Sequence, residues 1–130
     1  MTEVIKGVPP HRIEFRVWDT SGGIVGCLTG GESPHVGGVV LSVPRASLTG
    51  EGISCDSWLT PVPGHKDLDV AVPIAEAICK ATGAPVSLTA GIHIDHATSA
   101  DIGVISVNCT AAGDEMLRLI SLKLNKQEVE

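Results

Sequence analysis

The sequence predicts one α+β domain over residues 1–130, with a mainly antiparallel sheet and two helices packed on one of its faces. Three observations support this. Apolar residues alternate in the first half of the chain, they adopt helical spacing after residue 67, and a last alternating stretch separates two helical ones. The predicted order is ββββαβα, with a core at about 11–124 and a frayed polar tail at 125–130.

The first two predicted strands form a hairpin. From His11 to Trp18, apolar residues occupy every second position, as in a strand with one buried face. Residues 19–23 have turn composition, so Ile24 to Thr29 is expected to return beside the first strand.

Two further strands are predicted at Gly38–Val43 and Ile53–Thr60, connected by loops rich in glycine, serine and proline. Because four strands then follow one another through loops, we expect an antiparallel meander of sequential neighbours.

The first helix is predicted from the helical spacing of four apolar residues: Leu68, Ala71, Ala75 and Ile78. We expect it to begin near Asp67 to Asp69, with either aspartate as its cap, and Gly83 to terminate it. Pro73 is expected within the first turn, where a proline is tolerated.

A strand at Pro85–Asp95 has the clearest alternation in the chain, and a capping box at Thr98–Asp101 predicts a second helix after it. Gly103, Gly113 and a β-branched stretch weaken that helix. A strand over Gly103–Asn108 is the alternative.

Composition excludes several classes of protein. Nine basic and fifteen acidic residues give a net charge of −6, without the basic cluster that nucleic-acid binding requires. No apolar run is long enough to span a membrane, and residues 1–6 do not resemble a signal peptide. Four scattered cysteines indicate reduced thiols in the cytoplasm, with Cys79 and Cys109 in the core.

Helices on one face leave the other face of the sheet uncovered. Five residues are expected there: Trp18, Trp58, Thr89, His93 and Asp95. An uncovered face carrying two tryptophans is typical of a contact surface, so we predict a homodimer formed through this face or an edge strand.

Three segments combine glycine, proline and histidine at element ends, namely 30–38, 63–67 and 91–98. Gly64, His65 and Lys66 directly precede a helix, where free backbone N–H groups can bind an anion. A solvated loop is the alternative.

His93 and Asp95 leave the same face of a strand, which suits an oriented general base or hydrogen-bond donor. A purely structural pair is the alternative. His35 lies beside glycines that would allow close approach of a ligand, or it is simply a turn residue.

The three histidines and Asp95 have a metal-ligand composition but no recognised ligand spacing, so no metal ligand is assigned. No nucleophile motif occurs either, so no catalytic residue is predicted.

The same segments resemble the small D-type subunit family of gallate (hydroxyarylic acid) decarboxylases, which is described as a prenylated-flavin chaperone-like domain. The resemblance covers roughly 12–124 and is most specific at Gly91–Asp95. The sequence departs from the family at Gly103, at Gly113 and in the β-branched stretch of the last helix. It implies an accessory protein that binds prenylated FMN or FMN without using it, with the decarboxylase and a flavin prenyltransferase as partners. The cofactor-binding candidates are His35, Gly64, His65, Lys66, His93 and Asp95.

A flavin mononucleotide needs an anion site, apolar or aromatic surface and polar groups at the ring edge. Lys66, one of the two tryptophans and the His93–Asp95 pair could provide these in turn. Two other functions stay open: a small metal-dependent enzyme that uses the histidines with Asp95, and a purely structural assembly factor.

Overall fold

Six strands and two helices follow the alternation of apolar residues in the computed structural model, which describes residues 1–129 and the side chains of residues 1–127. The strands are β1 (Thr2–Lys6), β2 (Ile13–Thr20), β3 (Gly23–Gly31), β4 (Gly38–Ala46), β5 (Ile53–Pro61) and β6 (Val86–His93). The helices are α1 (Leu68–Thr82) and α2 (Ser99–Val129). Strand β1 was not predicted, and the other elements occur in the predicted order.

The strands form one sheet in the order β1-β2-β3-β6-β4-β5. Strand β6 pairs in parallel with β3 and antiparallel with β4, and every other pair is antiparallel. The predicted hairpin of β2 and β3 is confirmed, but the meander is wrong because β6 lies between β3 and β4. Alternation specifies which face a strand buries, whereas it does not specify which backbone it pairs with.

Both helices cover the same face of the sheet, as predicted. The core between them includes Phe15, Leu28 and Leu88 from the sheet, Ile78 from α1 and Met116 from α2, each less than 2% exposed. The mainly antiparallel α+β architecture is therefore confirmed, with the opposite face of the sheet left uncovered.

Helix α1 begins at Leu68 and ends where Gly83, with a left-handed φ of 66°, donates its N–H to the Cys79 carbonyl over 2.8 Å. The predicted boundaries are confirmed. Pro73 lies beyond the first turn, so its predicted position is wrong. The position is exposed, and water can therefore bind the carbonyl of Asp69 that a proline leaves without its helical donor.

The capping box at the start of α2 is formed as predicted. The Thr98 N–H donates to Asp101 Oδ2 over 2.9 Å, and the Asp101 N–H donates to Thr98 Oγ1 over 3.1 Å. The helix continues through residues 103–108, so the strand alternative is wrong. A Cβ at Gly113 would lie 2.8 Å from the Ile74 side chain, so the glycine lets α2 approach α1 closely.

The tail at 125–129 is helical rather than frayed, and Glu130 lies outside the described residues. Neither described helix is both long and apolar enough to span a membrane.

All four cysteines are free thiols, and Cys79 and Cys109 are fully buried, as predicted. Burial raises the pKa of the Cys109 thiol to about 12, and the negative charge of Asp67 adds to this effect. These thiols are core residues rather than nucleophiles.

Candidate functional site

The loop between β3 and β4 runs along the carboxyl end of β6. The Glu32 N–H donates to the His93 carbonyl over 2.7 Å, and the Gly37 N–H donates to the Ala90 carbonyl over 2.8 Å. These backbone hydrogen bonds hold the loop in place and bring His35, near its middle, beside the end of β6.

Two glycines allow this close approach. A Cβ at Gly91 would collide with the backbone carbonyl of His35, and a Cβ at Gly37 would collide with the carboxylate of Asp67. The backbone can therefore reach these distances only because neither position carries a side chain.

His65 is positioned by a turn that is itself bonded to the same loop. The Val62 N–H donates to the Gly37 carbonyl over 2.8 Å, and the His65 N–H donates to the Val62 carbonyl over 3.1 Å. Gly64, in the middle of this turn, has a φ of 82°, which favours glycine.

Asp67 occupies the N-cap position of α1, yet its side chain makes no capping hydrogen bond. Instead, Oδ1 accepts a hydrogen bond from the backbone N–H of Ile92 over 2.8 Å. The side chain is only 7% exposed, and its second oxygen, Oδ2, is directed at the two histidines. Asp67 or Asp69 was predicted to cap the helix; Asp67 occupies the cap position, but its side chain does not cap.

His35, His65 and Asp67 converge in a group that we call the His–Asp triad. The Nε2 atom of His35 lies 3.2 Å from Nδ1 of His65 and 3.4 Å from Oδ2 of Asp67. The distance from His65 Nδ1 to Asp67 Oδ2 is 3.5 Å. The structure thus brings two predicted site residues together and adds Asp67, which sequence reasoning missed. The available signal was the spacing of His65 and Asp67 immediately before a helix.

His93 and Asp95 form the predicted pair, with 2.8 Å between His93 Nε2 and Asp95 Oδ1. The pair lies outside the triad, since the rings of His93 and His35 have centroids 6.3 Å apart. The N–H of Asp95 donates to Glu32 Oε1 over 2.9 Å, which ties the pair to the same loop. Both side chains are well exposed, so their polar atoms are accessible to a ligand.

A cleft of about 480 Å³ lies between the start of α1, the end of β6 and the start of α2. Its walls include four predicted site residues: Gly64, His65, Lys66 and His93. His35 and Asp95 do not line it. Its apolar surface includes Val70, Ile92, Ile102 and Ile105. Its volume falls within the range of about 300–1,000 Å³ that is typical of small-molecule sites.

The tryptophans lie elsewhere. Trp18, Val25, Ser87, Leu41 and Trp58 are register partners in a row across five strands on the uncovered face. Ser87 and His93 are six positions apart on β6, or about 20 Å at roughly 3.3 Å per residue. The predicted placement on the uncovered face is confirmed for Trp18 and Trp58, but neither contributes ring surface to the cleft.

Charges of both signs surround the cleft. Lys66 lies at the start of α1, whereas Asp69 and Asp101 are acidic wall residues. Hydrogen bonds from Thr98 and from His11 hold the pKa of Asp101 at about 2, below its ordinary value of 3.8. Asp101 therefore remains negative at neutral pH and is already engaged by its own partners.

Comparison with curated proteins gives no match to this chain. Comparison with protein families gives a match over residues 7–121 to the prenylated flavin chaperone LpdD-like domain. The matched region contains the cleft, the triad and all the predicted site residues. The chain therefore belongs to the family of prenylated flavin chaperone LpdD-like domains.

Proposed function

We propose that this chain binds prenylated FMN, or FMN, in the cleft and retains or delivers it for a non-oxidative aromatic-acid decarboxylase. The observation that carries the proposal is the cleft itself. Residues of both predicted cofactor segments, 63–67 and 91–98, line it. The chain also belongs to a prenylated flavin chaperone family.

The phosphate of the cofactor is assigned to the start of α1. No side chain caps this helix, and the Asp69 N–H donates to the Lys66 carbonyl over 3.2 Å. The other backbone N–H groups of the first turn are therefore available to an anion. Lys66 adds a positive charge, and the space beside Gly64 in the preceding turn is unobstructed, since a Cβ there would meet nothing within 4 Å. A charged donor beside free N–H groups is a common arrangement for phosphate binding.

The flavin ring is assigned to the apolar wall of Ile92, Ile102 and Ile105. His93, oriented by Asp95, lies at the rim and supplies a polar group for the ring edge. This division of apolar wall and polar rim matches the general composition of cofactor sites.

The role is non-catalytic, because the cofactor is bound rather than used. A flavin prenyltransferase would supply the modified flavin, and the decarboxylase would receive it. This role requires that the cofactor bind reversibly. The cleft suits reversible binding because it is open to solvent.

We also propose that the uncovered face forms a homodimer. Trp18, Val25, Leu41 and Trp58 are between 41% and 58% exposed and form a continuous apolar row with Ser87. An apolar patch of this kind is stabilised by burial against a second copy, because water is removed from both surfaces.

Binding of FMN and of prenylated FMN to the purified protein, followed by flavin fluorescence, tests the cofactor site. We expect saturable binding that is weakened about tenfold or more in Lys66→Gln, since a hydrogen bond to a charged group contributes roughly 1.5–3 kcal/mol. Lys80→Gln, which removes a lysine from the other end of α1, is the matched control. The proposal is wrong if neither flavin binds, or if both variants bind like the unmodified protein.

Transfer is measured separately by adding the loaded protein to a cofactor-free decarboxylase and following the gain of activity. No gain over free prenylated FMN would rule out delivery and leave only retention or storage.

A further inference from the structure

We propose that His35, His65 and Asp67 bind a divalent transition-metal ion, and that the geometry of the triad fits Zn²⁺ in tetrahedral coordination. Two of the three residues, His65 and Asp67, also line the cleft, but the inference rests on the geometry of the triad and does not depend on the assignment of the flavin.

The distances between the three ligand atoms carry the inference. They are 3.2, 3.4 and 3.5 Å. Bonds of 2.0–2.1 Å to a tetrahedral Zn²⁺ place neighbouring ligand atoms about 3.3–3.4 Å apart. Octahedral coordination at 2.0–2.1 Å would bring them to about 2.9 Å. The triad therefore has the dimensions of a tetrahedral site.

The orientation of His35 supports the same conclusion. Its Nδ1 atom lies 2.9 Å from the carbonyl oxygen of Ser33, which can only accept a hydrogen bond. In the neutral imidazole, Nδ1 therefore carries the proton, and Nε2 presents a lone pair to the triad. A ligating histidine usually donates its other N–H to a carbonyl or carboxylate in this way.

Asp67 is oriented just as specifically. The Ile92 N–H occupies Oδ1, so Oδ2 is left to face His35 and His65. A nearly buried carboxylate with one oxygen engaged by the backbone is held in position before any ion arrives. Three electron-pair donors converging on one point need a proton or a cation between them, and an ion of this class satisfies all three.

The chemistry of the donors defines the class of ion. Two imidazoles and one carboxylate suit Zn²⁺ and related transition metals better than Mg²⁺ or Ca²⁺, which prefer oxygen ligands. Three protein ligands leave one tetrahedral position open. Because His65 and Asp67 also line the cleft, that position is accessible to water or to an oxygen of a ligand.

The test is calorimetric titration of Zn²⁺ into full-length protein that has been treated with a chelator. We expect one ion per chain, and a loss of affinity on the order of 100-fold or more in His65→Ala and in Asp67→Asn. His65 is exposed enough for its substitution to be tolerated, so His65→Ala alone decides if Asp67→Asn fails to fold.

Two matched variants serve as controls. His96→Asn removes a histidine outside the triad at a position with a φ of 51°, which asparagine tolerates, and Asp69→Asn removes the neighbouring cleft carboxylate. Both should bind zinc like the unmodified protein. The absence of zinc binding, or equal binding by all four variants, would overturn the proposal. Co²⁺ bound in place of zinc should give the strong visible absorption of a four-coordinate ion, and weak octahedral bands would overturn the geometry.

Discussion

The Nε2 atom of His35 lies 3.2 Å from Nδ1 of His65, although 30 residues separate the two histidines in the sequence. Gly37 connects them, since its N–H donates to the end of β6 and its carbonyl accepts from the turn that carries His65. Backbone hydrogen bonds therefore position the two rings next to each other, independently of the contact between the rings. The geometry of the site consequently depends on how closely the backbones can approach.

Gly91→Ala tests this dependence. The added methyl group would collide with the His35 carbonyl, so the loop must move away from β6. We expect the free energy of unfolding to fall by about 1–3 kcal/mol, the usual effect of overpacking, as measured by urea denaturation. Zinc affinity should fall as well, because His35 moves with the loop.

Gly103→Ala is the matched control, since a Cβ at this exposed helical position meets nothing within 4 Å. It should raise the free energy of unfolding by about 0.5–1 kcal/mol through its helix propensity. If Gly91→Ala were as stable as the unmodified protein and bound zinc equally well, the close approach would not be a requirement.

The lowered pKa of Asp101 predicts how the stability of the protein responds to acid. Its pKa is about 2 in the folded protein against 3.8 ordinarily, so the ionised form is favoured by folding. Its contribution is therefore fully present above pH 3.8 and is lost as the pH falls through about 2. Asp101→Asn should lower the melting temperature at neutral pH, and the gap to the unmodified protein should narrow between pH 3.8 and 2.

His11→Ala removes only one of the contacts to Asp101, which lies 2.8 Å from the His11 ring. When Asp101→Asn is made in the His11→Ala protein, the acid-dependent part of the loss in melting temperature should be smaller than in the unmodified protein. It should not disappear, because the hydrogen bonds from Thr98 remain. A gap of equal size at pH 2 and pH 7 in Asp101→Asn would contradict the assignment.

The proposed homodimer predicts a mass of about twice 13.4 kDa by light scattering at micromolar concentration. Leu41→Glu places a charge inside the apolar row, between Ser87 and Trp58, and should return the protein to the monomer, since a buried unpaired charge is strongly unfavourable. Val107→Glu, on the exposed side of α2, is the control. A monomer mass that does not change with concentration means that the uncovered face serves a different partner.

Thiol labelling gives an independent measure of the same dimer. Cys27 lies on the uncovered face, in the row of register partners adjacent to the row that contains Leu41. Burial raises the pKa of the thiols of Cys55, Cys79 and Cys109. Fast labelling of the native protein should therefore report Cys27 alone. Its rate should fall as protein concentration rises, and should stay constant in Leu41→Glu.

The sequence by itself determined every element except β1, and the faces that those elements bury. The alternation through Ile13, Phe15 and Val17, the capping box of Thr98 and Asp101, and the terminating Gly83 all appear in the structure as predicted. These features depend on residues within a few positions of one another, so local periodicity and local hydrogen bonds are enough to read them. The segments that carry the site were also recognisable, because their histidines and glycines stand at element ends.

Only the tertiary structure decided what those segments form together. The insertion of β6 between β3 and β4 sets His35 beside the end of β6 and leaves Trp18 and Trp58 far from the cleft. It also turns Asp67 from an expected helix cap into a partner of Ile92 and the histidines. Long-range backbone hydrogen bonds determine which strands pair, and glycines allow two segments of the backbone to approach each other closely. Neither leaves a periodic signal in the sequence.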